Sequence, residues 1–403
     1  MKYIVILCDG MADDPLDILG GKTPIEAART ENIDRLAKDA EIGMVRTVPE
    51  GMSPGSDTAN LSVIGYDPKK YYSGRSPLEA LSIGAEMEDA DVSFRCNLVT
   101  LSEDDADYED RVILDHSSGE ISTEEAAELL NALETGVKRE GYTFYAGTSY
   151  RHLVIWKEGR TTELTAPHDI LTKRIGDYLP EDAVLRDMMI KSYDILKDHP
   201  INKKRRAEGK NPANSAWFWG SGTRPALTSF EEKHGAKGAM ISAVDLLKGI
   251  AVGAGMHNII VEGANGGLHT NYSGKADAAV KALTEGGYDF VYIHIEAPDE
   301  MGHQGSAADK IKAIEYIDEK IIGPVADALW NAGTDFRMLI LPDHPTPVRV
   351  RTHTSDPVPY LLYDSTKKTC GPEFYSEKAG RESGRYIEEG WRLMEHLIQS
   401  FQI

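Results

Sequence analysis

Cysteine is scarce in this chain: Cys8, Cys96 and Cys370 are the only three, an odd number and widely spaced. That excludes a disulfide framework and a cysteine-rich zinc ribbon, suits a reducing compartment, and leaves each thiol to be read as a small core residue. Long apolar runs are missing too. Tyr3 to Cys8 and Met338 to Leu341 fall far short of the ~20 residues that span a bilayer, and the first run ends at Asp9 with no small-residue cleavage pattern behind it. The expected location is the cytoplasm, without a membrane partner. Basic residues are in deficit, 44 Lys and Arg against 65 Asp and Glu, and the formal net charge of −21 argues against a nucleic-acid or anionic-membrane surface. An anionic ligand would need bound cations and a few arginines to reverse the local field. No GxxxxGK[ST] loop is present, and the pairs Gly20-Gly21 and Gly266-Gly267 build no dinucleotide fingerprint, so no nucleotide cofactor is expected.

What is present is a globular composition, 41% hydrophobic and 27% charged, on a 403-residue chain too long for one ordinary core. Two domains are expected. Tyr3 to Leu7 is a β-branched-rich apolar stretch broken abruptly by Asp9-Gly10, as a buried parallel strand is at its C-terminal end, where ligand sites of such sheets collect. Similar strands are predicted at Asn258 to Val261, Phe290 to Ile295 and Met338 to Leu341, with helices at Lys275 to Glu285 and Lys310 to Ala332. The alternation implies an α/β core with a mostly parallel sheet between helices. From about 89 to 235 the texture changes. An acidic alternating region, Val92 to Val112, leads to a helix at Thr123 to Lys138, and Gly209 to Ala226 reads as a linker or active-site loop. The expected division is a discontinuous core, 1–88 and 236–403, interrupted by an inserted α+β cap, 89–235.

Two C-terminal segments have metal-ligand spacing: Asp299 and His303 in "APDEMGH", and Asp343 and His344 in "LPDHPTP", followed by His353 in "RTHTSDPVP". Carboxylate and imidazole suit zinc, manganese or a related divalent ion, and a set of this size suffices for two. Alone, Asp343-His344 reads equally as a polar turn, and Asp9 as a turn or cap aspartate. Ser56, after Pro54-Gly55 and before an apolar helical pattern, reads either as a plain N-cap or as a serine whose oxygen could carry a phosphate near the positive end of a helix.

These residues, with "LCDGMAD", "GSDTANLSVIGYDP", "SGRSPLEA", "AMISAVDLLKGIA" and "TNYSGKA", run in the order found in cofactor-independent phosphoglycerate mutases of the alkaline phosphatase superfamily. The archaeal-type branch is the better likeness, since Asp57 and Asn60 stand where the bacterial branch has glutamate and histidine. The resemblance implies an alkaline-phosphatase-like core, one metal held by Asp9, Ser56, Asp343 and His344, and another by Asp299, His303 and His353. It implies manganese first, with zinc, cobalt or magnesium as alternatives, and no 2,3-bisphosphoglycerate. Ser56 would be the nucleophile, phosphorylated in passing as 3-phosphoglycerate becomes 2-phosphoglycerate. His116, Arg151 and Arg224 of the cap, and Lys248, would contact the substrate, with Lys275 competing for the lysine's role. Transfer to water or to another small hydroxyl compound, including a homoserine phosphorylation role, is the alternative reading; a non-enzymatic scaffold is a third, disfavoured by a serine in the ligand set and by the absence of cysteine from it.

Overall fold

Ile4 to Cys8 have no solvent exposure, so both faces of this strand are covered and its unbroken apolar run has nowhere else to go. A computed structural model describes residues 1–104 and 107–399. In chain order its strands are β1 (Lys2–Cys8), β2 (Ala40–Val45), β3 (Val92–Leu101), β4 (Ile113–Asp115), β5 (Tyr142–Tyr145), β6 (Arg151–Trp156), β7 (Ser215–Thr223), β8 (Gly238–Ile241), β9 (His257–Asn258), β10 (Phe290–Ile295), β11 (Phe336–Leu341), β12 (Val358–Asp364) and β13 (Tyr386–Ile387).

The chain divides into two units, Met1–Tyr72 with Ala226–Ile403, and Ser73–Pro225. The first carries an eight-stranded sheet ordered β13-β2-β12-β11-β1-β10-β8-β9. Five of its pairings are parallel and two, around β12, antiparallel. Expected and observed architecture agree: a mixed α/β unit with a mostly parallel sheet. On one face Ile4, Ile6, Val291, Ile293 and Ile340 share a core with Ala276, Ala279, Ile314, Val325 and Leu329 from the helices Tyr272–Thr284, Ala307–Ile317 and Gly323–Asn331. In the second unit β3 is central, pairing antiparallel with β6, β7 and β4, and its core includes Leu129, Leu133, Met188 and Met189 from the helices Thr123–Val137 and Ala183–Leu196.

Several local expectations change. The strand expected at 258–261 is only β9, because beyond Asn258 the chain leaves the ladder and turns Ile260 to solvent; β10 pairs instead with the fully buried β8. The helix expected over 310–332 contains a π turn at Asp318–Ile322, where the Asp318 carboxylate accepts the backbone N–H groups of Asn32 and Ile33. The segment 209–226 is not a linker throughout: it contains the nine-residue β7, whose Trp217 and Phe218 are buried. The unit boundaries fall at 72/73 and 225/226 rather than 88/89 and 235/236. Side-chain pairing explains both shifts. The helix Arg75–Ser82 is tied to β3 by a Ser76 to Ser93 hydrogen bond and a Glu79–Arg95 ion pair at 2.9 Å, whereas Phe230 packs on Phe290 of the first unit at 4.6 Å between ring centroids. Among the described residues no helix is long and apolar enough to cross a membrane.

Each unit buries one histidine whose ring is poorly hydrogen-bonded. His152 accepts only the Gly147 N–H, and neither ring nitrogen of His234 has a partner among the described residues. Burial pushes both down to about 4. A depressed histidine stays neutral in the fold while the unfolded chain takes up a proton, so its contribution is complete above about 6.5 and is lost as pH falls towards 4. Each should withdraw up to about 1.4 kcal/mol of stability per pH unit across that window. Urea midpoints measured from pH 6.5 to 4.5 should fall with pH, and His234→Phe should flatten the dependence for the first unit whatever its absolute stability.

Candidate metal centre

The C-terminal ends of β1, β10 and β11 open on one edge of the sheet, set level by registers that pair Leu7 with both His294 and Leu341. Asp9 follows β1 directly. Asp299 and His303 lie one turn apart on the helix Ala297–Gln304 after β10, Asp343 and His344 follow β11, and His353 lies in the segment between β11 and β12. Ser56 is the first residue of the helix Ser56–Val63.

These side chains meet in two overlapping groups. Ligand-capable atoms of Asp9, Asp343 and His344 lie within 4.8 Å of one another, as do those of Asp299, His344 and His353. In the first group His344 Nε2 is 3.4 Å from Asp343 Oδ2, 3.6 Å from Asp9 Oδ1 and 3.2 Å from Ser56 Oγ. In the second, His353 Nε2 is 3.4 Å from Asp299 Oδ1, and His303 Nε2 is 3.2 Å from Asp299 Oδ2 and 3.0 Å from His353 Nε2. All seven residues expected as ligands are thus linked by short distances. The structure adds that His344 belongs to both groups, its ring stacked on that of His353 at 3.9 Å.

Three carboxylates, Asp9, Asp299 and Asp343, are buried together, and their ion pairs among the described residues are with histidines. Burial raises the Asp9 carboxyl far above the usual range, and its neighbours Asp343 and Asp299 raise it further. Burial acts on Asp299 in the same sense, but hydrogen bonds with His303 and His353 outweigh it and hold this carboxyl well below the usual range. In return the Asp299 hydrogen bond pushes His303 up to about 9. Burial lowers His344, against the pull of Asp343.

The arrangement fits divalent cations on two counts. Asp9 Oδ1 is buried with no hydrogen-bond partner, an arrangement that costs free energy unless a cation supplies the missing contact. His303 donates its Nδ1–H to the Arg351 carbonyl at 3.0 Å, which leaves Nε2, directed at Asp299 and His353, as the ring atom that could bind an ion in exchange for its proton. Mixed carboxylate and imidazole donors suit zinc, manganese and neighbouring ions.

Supporting groups, of which sequence reading noted Asn60 only as a mark of the branch, hold these candidate ligands in place. Asp343 accepts N–H groups from Gly10 and His344 on one oxygen and the Asn60 amide at 2.9 Å on the other. The same Asn60 amide reaches the Ser56 carbonyl, and its oxygen accepts the Tyr292 hydroxyl at 2.6 Å. Thr346 donates to Asp299, and Thr47 to the Asp343 carbonyl. Gly10 has a positive φ of 61°, and a Cβ there would stand 2.6 Å from Asp299 Oδ1 and Thr346 Oγ1, so no other residue fits the turn. His294 was also missed; its Nε2 lies 2.8 Å from Asp9 Oδ2. The available signal was a histidine inside an otherwise apolar strand, FVYIHI.

The residues expected to contact substrate are more scattered. Lys248 pairs with Asp245 on its own helix at 3.1 Å. Lys275 is instead fully buried, with Nζ 2.8 Å from the His294 carbonyl, and burial lowers it to about 8 against the pull of Glu296. In the second unit His116 and Arg151 both pack on Tyr150, at 5.7 and 4.5 Å from its ring centroid, while Arg224 donates to the Met87 carbonyl. His168 extends that group, 6.0 Å from His116 and 5.2 Å from Trp219, and Arg95 covers the other part of Trp219 at 4.2 Å.

Residues 37–202 match the family model described as 2,3-bisphosphoglycerate-independent phosphoglycerate mutase. A protein of Geobacter sulfurreducens named as a probable enzyme of this kind is 48% identical, covering 99% of this chain and 100% of its own. One of Methanothrix thermoacetophila with the same enzyme name is 46% identical, again over 99% and 100%. Among solved structures, a Pyrococcus horikoshii protein aligns with a TM-score of 0.80 at 30% identity over 100% of this chain and 98% of that one. The cofactor-independent phosphoglycerate mutase of Thermoplasma acidophilum aligns at 0.66 and 27% over 99% and 100%. With near-complete coverage at such identity, the chain belongs to the 2,3-bisphosphoglycerate-independent phosphoglycerate mutases, in their archaeal-type branch.

Proposed function

We propose that this protein interconverts 3-phosphoglycerate and 2-phosphoglycerate without 2,3-bisphosphoglycerate, through a phosphoserine at Ser56 and with two divalent ions, manganese first among them. The observation that carries the reading is the meeting of a serine hydroxyl, three buried carboxylates and three histidines at one sheet edge, in a chain of this family. Asp9, Asp343, His344 and Ser56 would hold one ion, and Asp299, His303 and His353 the other, with His344 near both. When bound, the ions lower the pKa of a hydroxyl and neutralise charge on phosphoryl oxygens.

The chain's own part is to fix the serine and to exclude water. Asn60 holds the Ser56 carbonyl one turn along the helix, and Asp57 is anchored by the Tyr72 hydroxyl at 2.6 Å, so the segment bearing the nucleophile is braced on both sides. Ser56 Oγ bonds to phosphorus as the C3 oxygen leaves. The glycerate C3 oxygen takes up the serine's proton; the 2-hydroxyl oxygen then bonds to phosphorus as the bond to Oγ breaks, and the hydroxyl's proton returns to Oγ. Glycerate must remain enclosed between these steps, and His116 and Arg151 are the proposed contacts for the acid's charges. A cytoplasmic location is supported by three free cysteines.

A coupled assay on protein stripped of metal and reloaded with manganese should show isomerisation with no release of inorganic phosphate; release of phosphate would assign the protein to hydrolysis instead. Ser56→Ala should lower turnover by at least about 1,000-fold and abolish the phosphoryl adduct seen by intact mass after acid quench, while leaving thermal unfolding of the metal-free protein unchanged. Metal linkage gives an independent check. Manganese at about a hundred times its dissociation constant should raise stability by about 2.7 kcal/mol per site, and Asp343→Asn or His353→Ala should forfeit most of one such increment in denaturant titrations.

A further inference from the structure

Three adjacent strands, β8, β10 and β1, carry at their C-terminal ends three buried polar side chains in line: Ser242, His294 and Asp9. Ser242 Oγ lies 3.1 Å from His294 Nδ1, and His294 Nε2 lies 2.8 Å from Asp9 Oδ2, a contact between residues 285 apart in sequence. A neutral imidazole carries its proton on either nitrogen, and which one decides whether it can donate to Asp9. The surroundings decide it. Ser242 Oγ already accepts the Val244 backbone N–H at 3.0 Å, so its hydroxyl hydrogen is free to point at His294 Nδ1. Nδ1 then acts as acceptor, and the ring proton sits on Nε2, facing the carboxylate. The backbone at His294 is fixed in addition by the buried Lys275, which donates to its carbonyl.

We propose that His294 is a positioning residue, with Ser242 setting its tautomer, which occupies one oxygen of Asp9 so that the other faces the metal centre. The two oxygens are indeed unequal: Oδ2 lies 2.8 Å from His294 Nε2, while Oδ1 is buried, unpartnered and 3.6 Å from His344 Nε2. Without the donor, the carboxylate could turn about its side-chain bond or offer both oxygens. The relay thus prepares Asp9 as a one-oxygen ligand before any ion arrives. This rests on the proposed metal role of Asp9 and adds a dependence on two residues that touch no ion and no substrate.

The test is a calorimetric titration of metal-stripped protein with manganese(II), together with ring-nitrogen NMR shifts of the metal-free protein labelled at histidine. His294→Phe, which keeps the ring volume and removes the donor, should weaken one of the two binding sites by about 10- to 100-fold and leave the other unchanged. Ser242→Ala should weaken the same site by a smaller factor. In wild type the His294 signal, assigned by its loss in the variant, should report a neutral ring protonated at Nε2, and Ser242→Ala should shift it to a mixture of tautomers. Asp9→Asn is the control and should lose that site outright. If it does and both relay variants bind manganese like wild type, or if the wild-type ring is protonated at Nδ1, the proposal is overturned while the metal site stands. If Asp9→Asn binds two ions normally, the metal role of Asp9 itself is overturned. Should His294→Phe not fold, Ser242→Ala and the wild-type tautomer decide the matter alone.

Discussion

Mutual repulsion among three buried carboxylates is the constraint around which the sheet edge is built. Asp9, Asp299 and Asp343 are each withdrawn from water, and their ion pairs among the described residues are with histidines, the buried Lys310 acting on Asp299 only from a distance. A protein can bear this only where protons, hydrogen-bond donors or cations compensate. The compensation is divided unevenly. Asp343 accepts three hydrogen bonds from the chain and Asp299 draws on two histidines and a threonine, whereas Asp9 has one oxygen satisfied and one bare. The least satisfied carboxylate is the one at the end of the strand between β10 and β11, where a cation would gain most.

The sheet makes this crowding possible. Parallel strands bring equivalent ends together, so residues from opposite ends of the chain reach one edge without a long excursion of backbone. β1 is flanked by β10 and β11 in parallel, and each is followed closely by candidate ligands. The apolar body of those strands fixes the register, since slipping by one residue would expose one buried row and bury polar groups in its place. Packing in the core thus sets the positions of charges at the edge, and a site with sub-ångström tolerance can rest on a scaffold of ordinary aliphatic contacts.

Much of this was legible in the chain. An apolar run that ends in Asp-Gly, Pro-Asp or Pro-Asp-His marks a strand edge and a charge at once, and that is why Asp9, Asp299 and Asp343 could be selected together. Spacing picked out His303, His344 and His353 beside them, and a family likeness supplied the ligand role of Ser56 and the division into two ion sets. What escaped was set by partners distant in sequence. β7 reads as a linker because the Gly and Ser residues around its Trp and Phe have poor strand character until β3 lies beside them. The antiparallel entry of β12 between β2 and β11 leaves no local mark. His294 was hidden by its own strand, since five apolar or aromatic neighbours made it look like a tolerated exception rather than a group whose two nitrogens both needed partners.

Charge in the second unit follows the opposite logic from charge at the sheet edge. The chain is strongly acidic overall, yet His116, Arg151, His168 and Arg95 gather around Tyr150 and Trp219. Burial lowers Arg95 to about 10 against the pull of Glu79, so this guanidinium stays charged at neutral pH but has given up much of its water. An arginine held on an aromatic face retains its planar donors while losing mobility, so less entropy remains to be lost when an anion arrives. A lysine could not take the same place, because its flexible stem would have to be ordered afresh and its compact ammonium is more costly to strip of water. Arg95 is thus held at once by burial, by Glu79 and by an aromatic face, whereas the carboxylates at the ends of β1, β10 and β11 crowd together with one oxygen of Asp9 left bare.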